Sequence, residues 1–175
     1  NRARIDYQKK HRIIKNLSSF FTTGIDYLEE KVTKISEEKK ELDKAYNNLG
    51  KKLIQFEANL LKATNNKGKK GYHIIKKIFS EKTIQQLREL ALVLIDEKDY
   101  IVILGSEKSE PILCLACSEN IAVHMGDLIK ELINEKNGKG GGSKYIAMAK
   151  IKDLENLTKI IDHSVTRIKE IINHY

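Results

Sequence analysis

The residues best placed to do chemistry are Asn137-Gly138-Lys139-Gly140-Gly141-Gly142-Ser143-Lys144, where four of the ten glycines of this 175-residue chain fall within five positions. Glycine loses the most backbone freedom on folding, so a cluster of them has a cause: left-handed backbone angles, or a close approach to the chain. Exposed N–H groups between Lys139 and Lys144 would cradle an anion. The same composition also describes a flexible connector that caps the preceding helix at Gly138. Tyr145 follows directly, with a ring suited to stacking on a base or ribose, or equally to core packing. A second basic stretch holds Lys62, Lys67, Lys69, Lys70, Lys76 and Lys77 without an acidic residue between them. It reads as a set of phosphate contacts or as a solvated hinge.

Neither stretch is a reaction centre. His11, His73, His124, His163 and His174 are scattered, and none forms H-x-x-x-H or H-E-x-x-H. His124 lies near a helix start, where a capping or surface role suits it better than catalysis. No G-x-S-x-G, Walker loop or acidic metal cluster is present. Cys114 and Cys117 form a C-x-x-C pair inside the strand-like run Ile112–Cys117. Side chains three apart on a strand point to opposite faces, which argues against a metal site or a mutual disulfide and for two buried thiols. The spacing therefore assigns no catalytic residue, no metal and no cofactor to this chain.

The elements that would position these groups fall into two kinds. Residues 2–21 read as a helix, and Thr23 with Asp26 reads as the N-cap of a second one. From there Ile25, Leu28, Val32, Ile35, Lys39, Leu42, Tyr46, Leu49, Leu53, Phe56, Leu60 and Ala63 alternate spacings of three and four. This is a heptad seam interrupted once, by Lys39. A helix over 25–64 would be about 60 Å long at ~1.5 Å per residue. Its seam requires a second helix, either the N-terminal one folded back or that of a second copy. Ile25, Leu28, Val32, Ile35, Leu42, Tyr46, Leu49, Leu53, Phe56 and Leu60 are the expected dimerisation residues.

Asn65 to Gly71 breaks the helix, and from Tyr72 the period changes. Strands are expected at 73–79, 100–104, 112–117 and 144–150, and helices at 83–96, 122–136 and from Asp153 to the C-terminus. A polar loop over 105–111 suits a hairpin. The reading is α+β: a long N-terminal helical hairpin or coiled coil over 1–64, a lysine-rich hinge over 65–71, and a small mixed-sheet α/β domain over 72–175.

Charge follows the same division. Residues 1–80 hold nineteen Lys/Arg against nine Asp/Glu, whereas residues 81–175 hold thirteen against fifteen. The net +8 belongs to the first half and points to a polyanion, or to a lysine-rich solvated surface. The apolar runs are too short to span a membrane. The opening Asn1-Arg2-Ala3-Arg4 lacks methionine and reads as the continuation of a longer chain.

A helix beginning Met125-Gly126-Asp127-Leu128-Ile129-Lys130, followed by Gly138-Lys139-Gly140-Gly141-Gly142-Ser143, resembles the DHH-associated domain that ends alanyl-tRNA synthetases and some AlaX-type editing hydrolases. The resemblance covers nearly the whole chain and is most specific over 124–149. It implies a tRNA-binding and dimerisation module that assists deacylation of mischarged tRNA by an upstream domain, in a cytoplasmic parent that is an editing hydrolase or an alanine-tRNA ligase relative. It likens Asn1–Tyr7 to the last strand of that editing domain, and it places zinc only upstream of this chain. The implied nucleic-acid contacts are Lys67, Lys69, Lys70, Lys76, Lys77, Gly138, Lys139, Gly140, Gly141, Gly142, Ser143, Lys144 and Tyr145. Two other functions fit the residues: the substrate-binding half of a DHH-type phosphoesterase acting on nucleotides or short oligonucleotides, and a purely structural dimerisation unit. Where the family continues with an Ala-Gln-Gly-Gly-like segment, this chain has Ala147, Met148, Ala149 and Lys150.

Overall fold

The computed structural model describes residues 2–65, 71–133 and 138–173. Lys67, Lys69 and Lys70 lie outside the described residues, as does Asn137. The chain divides into two compact units, Asn1–Lys51 and Lys52–Tyr175.

The first unit is helical. Helix α1 spans Arg2–Phe20, so the opening residues form a helix rather than the strand implied by resemblance. Its hydrophobic positions follow helical spacing, and Lys10 pairs with Asp6 one turn away at 2.8 Å. A turn with Thr22 at φ 51° and a 3-10 turn at Ile25–Tyr27 lead into helix α2, Leu28–Thr64. Thr23 does not cap this helix. Gly24 is the N-cap of the 3-10 turn and makes no side-chain bond, while the Thr23 carbonyl accepts from the Ser18 hydroxyl. The apolar seam of α2 is exposed along the chain, from Val32 (45%) through Leu42 (69%) to Phe56 (66%).

The second unit is α+β. Its sheet comprises β1 (His73–Phe79), β2 (Tyr100–Ser106), β3 (Ile112–Cys117), β4 (Gly138–Gly142) and β5 (Ile146–Ile151). The order is β1-β2-β3-β5-β4, with β1 parallel to β2 and the remaining pairs antiparallel. Helix α3 (Ile84–Ile95) connects β1 to β2, as a parallel pair requires. It opens with a capping box in which the Thr83 hydroxyl accepts from the Gln86 N–H. Helices α4 (Met125–Leu132) and α5 (Leu154–Asn173) complete the unit. Asp153 caps α5, accepting from the Asn156 N–H at 2.8 Å.

Two cores sandwich the sheet. One gathers Leu87, Leu90, Ala91 and Leu94 of α3 with Ile75, Val102 and Leu104, and it includes Ile54 and Ala58 from the last turns of α2. The other gathers Met125, Leu128 and Ile129 of α4 with Leu157, Ile161 and Ile168 of α5 on Ile101, Ile103 and Leu115. Strands β2 and β3 are buried along their whole length, which explains their near-continuous apolar sequence. Cys114 belongs to the first core and Cys117 to the second, as strand alternation requires. Both are free thiols.

Further expectations change in the second unit, where the strand expected at 144–150 is Ile146–Ile151. The glycine stretch is not a loop, because Gly138–Gly142 pairs along its length with β5 as an edge strand. Helix α4 begins at Met125, not Ala122, because His124 takes the N-cap and its Nδ1 accepts from the Asp127 N–H at 3.1 Å. The hairpin loop is shorter than 105–111, since Gly105 and Ser106 still pair with Leu113 and Ile112.

Burial pushes the Cys114 thiol up to about 12, against a smaller opposing pull from Arg88, and the Cys117 thiol up to about 11, against Lys144. An unfolded thiol ionises near 9.0, so above that pH the unfolded chain holds fewer protons than the folded one and stability falls. Urea unfolding at about pH 7.5 and about pH 9.5 should show this fall, and a Cys114→Ala/Cys117→Ala variant should flatten it.

The edge strand also explains its own glycines. A Cβ on Gly140 would stand 2.4 Å from the Ala149 Cβ, and one on Gly142 would stand 2.3 Å from the Ala147 Cα, whereas one on Gly141 would meet nothing. Gly140→Ala should therefore destabilise the fold by about 1–3 kcal/mol. Gly141→Ala should stay within about 0.5 kcal/mol of wild type. Chemical denaturation of the two variants checks the contrast.

Candidate nucleic-acid interface

The β4–β5 hairpin turns at Lys144-Tyr145, and the Ser143 N–H donates to the Ile146 carbonyl at 2.8 Å. Ser143 and Ile146 thus form a hydrogen-bonded pair, and antiparallel alternation makes Gly142↔Ala147, Gly140↔Ala149 and Gly138↔Ile151 the narrow pairs, with Cα atoms about 4.5 Å apart. Those are the positions at which a Cβ would collide. The peptide groups of Gly140 and Gly142 consequently point away from β5.

Helix α4 docks on this hairpin by its first turn. The Met125 N–H donates to the Lys144 carbonyl at 2.8 Å, and the Gly126 N–H donates to the Ser143 carbonyl at 2.9 Å. A Cβ on Gly126 would lie 2.6 Å from the Gly142 carbonyl oxygen, so only glycine allows the contact. These bonds, with the His124 cap, occupy the amides that a helix start would otherwise offer to an anion.

The strand itself differs from an anion nest, which needs successive N–H groups aimed inward around a left-handed residue. None of Gly138–Gly142 has a positive φ; Gly71 is the one described glycine that does, at 86°. A strand edge offers donors and acceptors in alternation. That pattern matches a ribose hydroxyl, which is both donor and acceptor, better than a phosphate. Lysines beside the edge supply the complementary charge: Lys139 and Lys144 are exposed, and the Lys144 Nζ sits 5.1 Å from the Tyr145 ring centroid. Tyr145 is half-buried against the α4–α5 core, so its ring is held in place.

The other sequence-expected residues lie elsewhere. Lys76 and Lys77 are on β1, the opposite edge of the sheet, about 19 Å away across four strand spacings. Lys76 pairs with Asp162 at 2.5 Å. Lysines on an exposed edge also discourage edge-to-edge association, which gives this pair a structural role. Lys62 bonds to Glu97 at 2.8 Å and lies 5.2 Å from the Tyr100 ring centroid. The structure thus gathers Gly140, Gly141, Gly142, Ser143, Lys144 and Tyr145 around one hairpin and separates Lys76 and Lys77 from it.

Sequence reasoning missed a cavity of about 680 Å³ beside Tyr145, lined also by the end of α3 and by Ser118, Glu119 and Asn120 after β3. Only the sheet order brings these three segments together, so no local motif announces it. Among the described residues no three His, Cys, Asp or Glu side chains come together as a metal ligand set. No described helix is long and apolar enough to cross a membrane.

Comparison with known proteins agrees with this geometry. Residues 69–170 match the DHHA1 domain model. An alanine–tRNA ligase of Pyrococcus abyssi is 29% identical over 160 residues, covering 91% of this chain and 17% of that protein. One from Wigglesworthia glossinidia brevipalpis is 33% identical over 165 residues, covering 88% of this chain and 19% of that protein. The chain therefore spans less than a fifth of the length of these curated relatives. The crystal structure of the C-Ala domain from the Aquifex aeolicus alanyl-tRNA synthetase shares the fold, with a TM-score of 0.50 at 24% identity over 61% of this chain and 95% of that one. The resemblance read from residues 124–149 is borne out, and the chain belongs to the DHHA1 domain family.

Proposed function

We propose that this chain is the tRNA-binding and self-associating part of an alanyl-tRNA synthetase-like editing protein of the cytoplasm. It holds tRNA while a separate upstream domain deacylates mischarged product, and it carries no catalytic residue of its own. The observation that carries this reading is the β4–β5 hairpin, where an exposed backbone edge, two lysines and an anchored tyrosine converge in a chain whose relatives are alanine–tRNA ligases. Lys139 and Lys144 contact phosphates, the outward-facing backbone of Gly140 and Gly142 with the Ser143 hydroxyl contacts ribose, and Tyr145 offers its ring. Lys67, Lys69 and Lys70 add phosphate contacts from the segment before β1, and Lys77 does so from the far edge.

Affinity for tRNA should fall steeply with salt, because each neutralised phosphate adds a log–log slope of about −0.7 to −0.9. Lys139→Ala and Lys144→Ala should each weaken binding and reduce the slope by about one phosphate. Filter binding across a salt series measures both. No binding at low salt, or slopes unchanged in both variants, would overturn the reading.

Self-association rests on the exposed α2 seam, a stripe of large apolar side chains that water does not tolerate cheaply. Sedimentation should show a dimer, and Leu42→Glu together with Leu49→Glu should give a monomer with the sheet unit still folded. A dimer that binds no tRNA would leave only the structural-unit reading.

A further inference from the structure

The cavity beside Tyr145 has a use that the hairpin contacts do not exhaust. Its apolar walls are Leu92, Ile95, Cys117 and Tyr145, and its polar rim includes Asp96, Glu119 and Asn120. Apolar walls with a few convergent polar groups are the usual make-up of a small-ligand site. The Tyr145 ring has Lys144 near it, so a chain lying along β4 with its phosphates at Lys144 passes the cavity mouth.

We infer that this cavity takes one unstacked base of the bound RNA, a base carrying an exocyclic amino group. The inference rests on the proposed RNA contact at the hairpin. Tyr145 supplies the stacking wall, as aromatic side chains do for splayed-out bases. The rim sets the choice of base. Ser118 is already engaged, its hydroxyl donating to the Glu97 carbonyl and accepting from the Tyr100 N–H at 3.0 Å. Asn120 is engaged too, accepting from the Asp99 N–H at 3.1 Å and donating to the Asp99 carboxylate at 2.7 Å. Glu97 is held by Lys62 at 2.8 Å. Glu119 and Asp96, both exposed, remain as acceptors. Carboxylates accept amino hydrogens and are repelled by the carbonyl oxygens that uracil presents in their place. Lys98 on the rim and Lys144 beside it balance those two charges, so the RNA backbone is not driven off.

Oligocytidylate and oligouridylate of equal length isolate the amino group, since both are unpaired pyrimidine chains. Fluorescence anisotropy with the 175-residue chain, at one salt concentration, should show cytidylate binding about tenfold tighter. Glu119→Ala, a change at an exposed position, should erase most of that preference by weakening cytidylate alone. Tyr145→Leu, with its fold verified by circular dichroism, should weaken both oligomers by about tenfold. Equal wild-type affinities, a preference untouched by Glu119→Ala, or uniform tightening of both oligomers in that variant would each overturn the base pocket. The last result would mean that the rim acids merely repel RNA. Those outcomes leave the hairpin contact standing if tRNA binding still depends on Lys144, whereas no RNA binding at all removes both.

Discussion

The second unit depends on one close approach, that of an edge strand with almost no side chains lying against β5. At Gly138, Gly140 and Gly142 a single methyl group would strike the backbone or Cβ of the neighbouring strand. Relieving such overlap costs about as much as a poorly packed core residue. Because the strand lies so close, its hairpin presents the Ser143 and Lys144 carbonyls to the first amides of α4. Gly126 then lets that helix settle on Gly142. The helix in turn delivers Met125, Leu128 and Ile129 to the core beneath α5. Edge, hairpin and helix are held as one arrangement, and the groups available to a partner are those the arrangement leaves over.

This constraint decides what the glycines do. They are present for their own sheet, since three of the five strand positions are explained without a ligand. The chemistry comes from the consequence: an exposed edge with few side chains, flanked by Lys139 and Lys144, and a turn that fixes Tyr145 at the mouth of a cavity. In the proposed tRNA contact, phosphate recognition falls to the lysines rather than to the backbone. The backbone is left with a pattern suited to ribose. Lys150, the residue that departs most in charge from the family pattern, is used structurally and pairs with Glu110 at 2.5 Å. Ala147 and Ala149 are small where the glycine strand lies closest.

Much of this was legible in the sequence, and the exceptions share a cause. Periodicity located α2, α3, α5 and the buried strands, because each carries a continuous apolar pattern and a local cap such as Thr83 or Asp153. C-x-x-C was legible as two buried thiols, because strand alternation is a local rule. The glycine strand was not legible. Strand propensity scales read side chains, and here the strand is specified by what β5 leaves no room for. The N-cap at His124 replaces the earlier start for a similar reason: the Ser143 and Lys144 carbonyls that complete it come from the β4–β5 hairpin, well downstream in the chain. The separation of Lys76 and Lys77 from the hairpin, and the cavity after β3, follow only from the order β1-β2-β3-β5-β4.

The most direct measurement of the central claim is hydrogen exchange by mass spectrometry, with and without tRNA. If the β4–β5 hairpin is the main RNA contact, amides in peptides covering 138–146 and 117–121 slow on adding tRNA, while those of β1 at 73–79, which contributes only the Lys77 side chain, slow much less. Protection confined to β1 or to α1, with the hairpin peptides exchanging as in the free protein, would contradict the account.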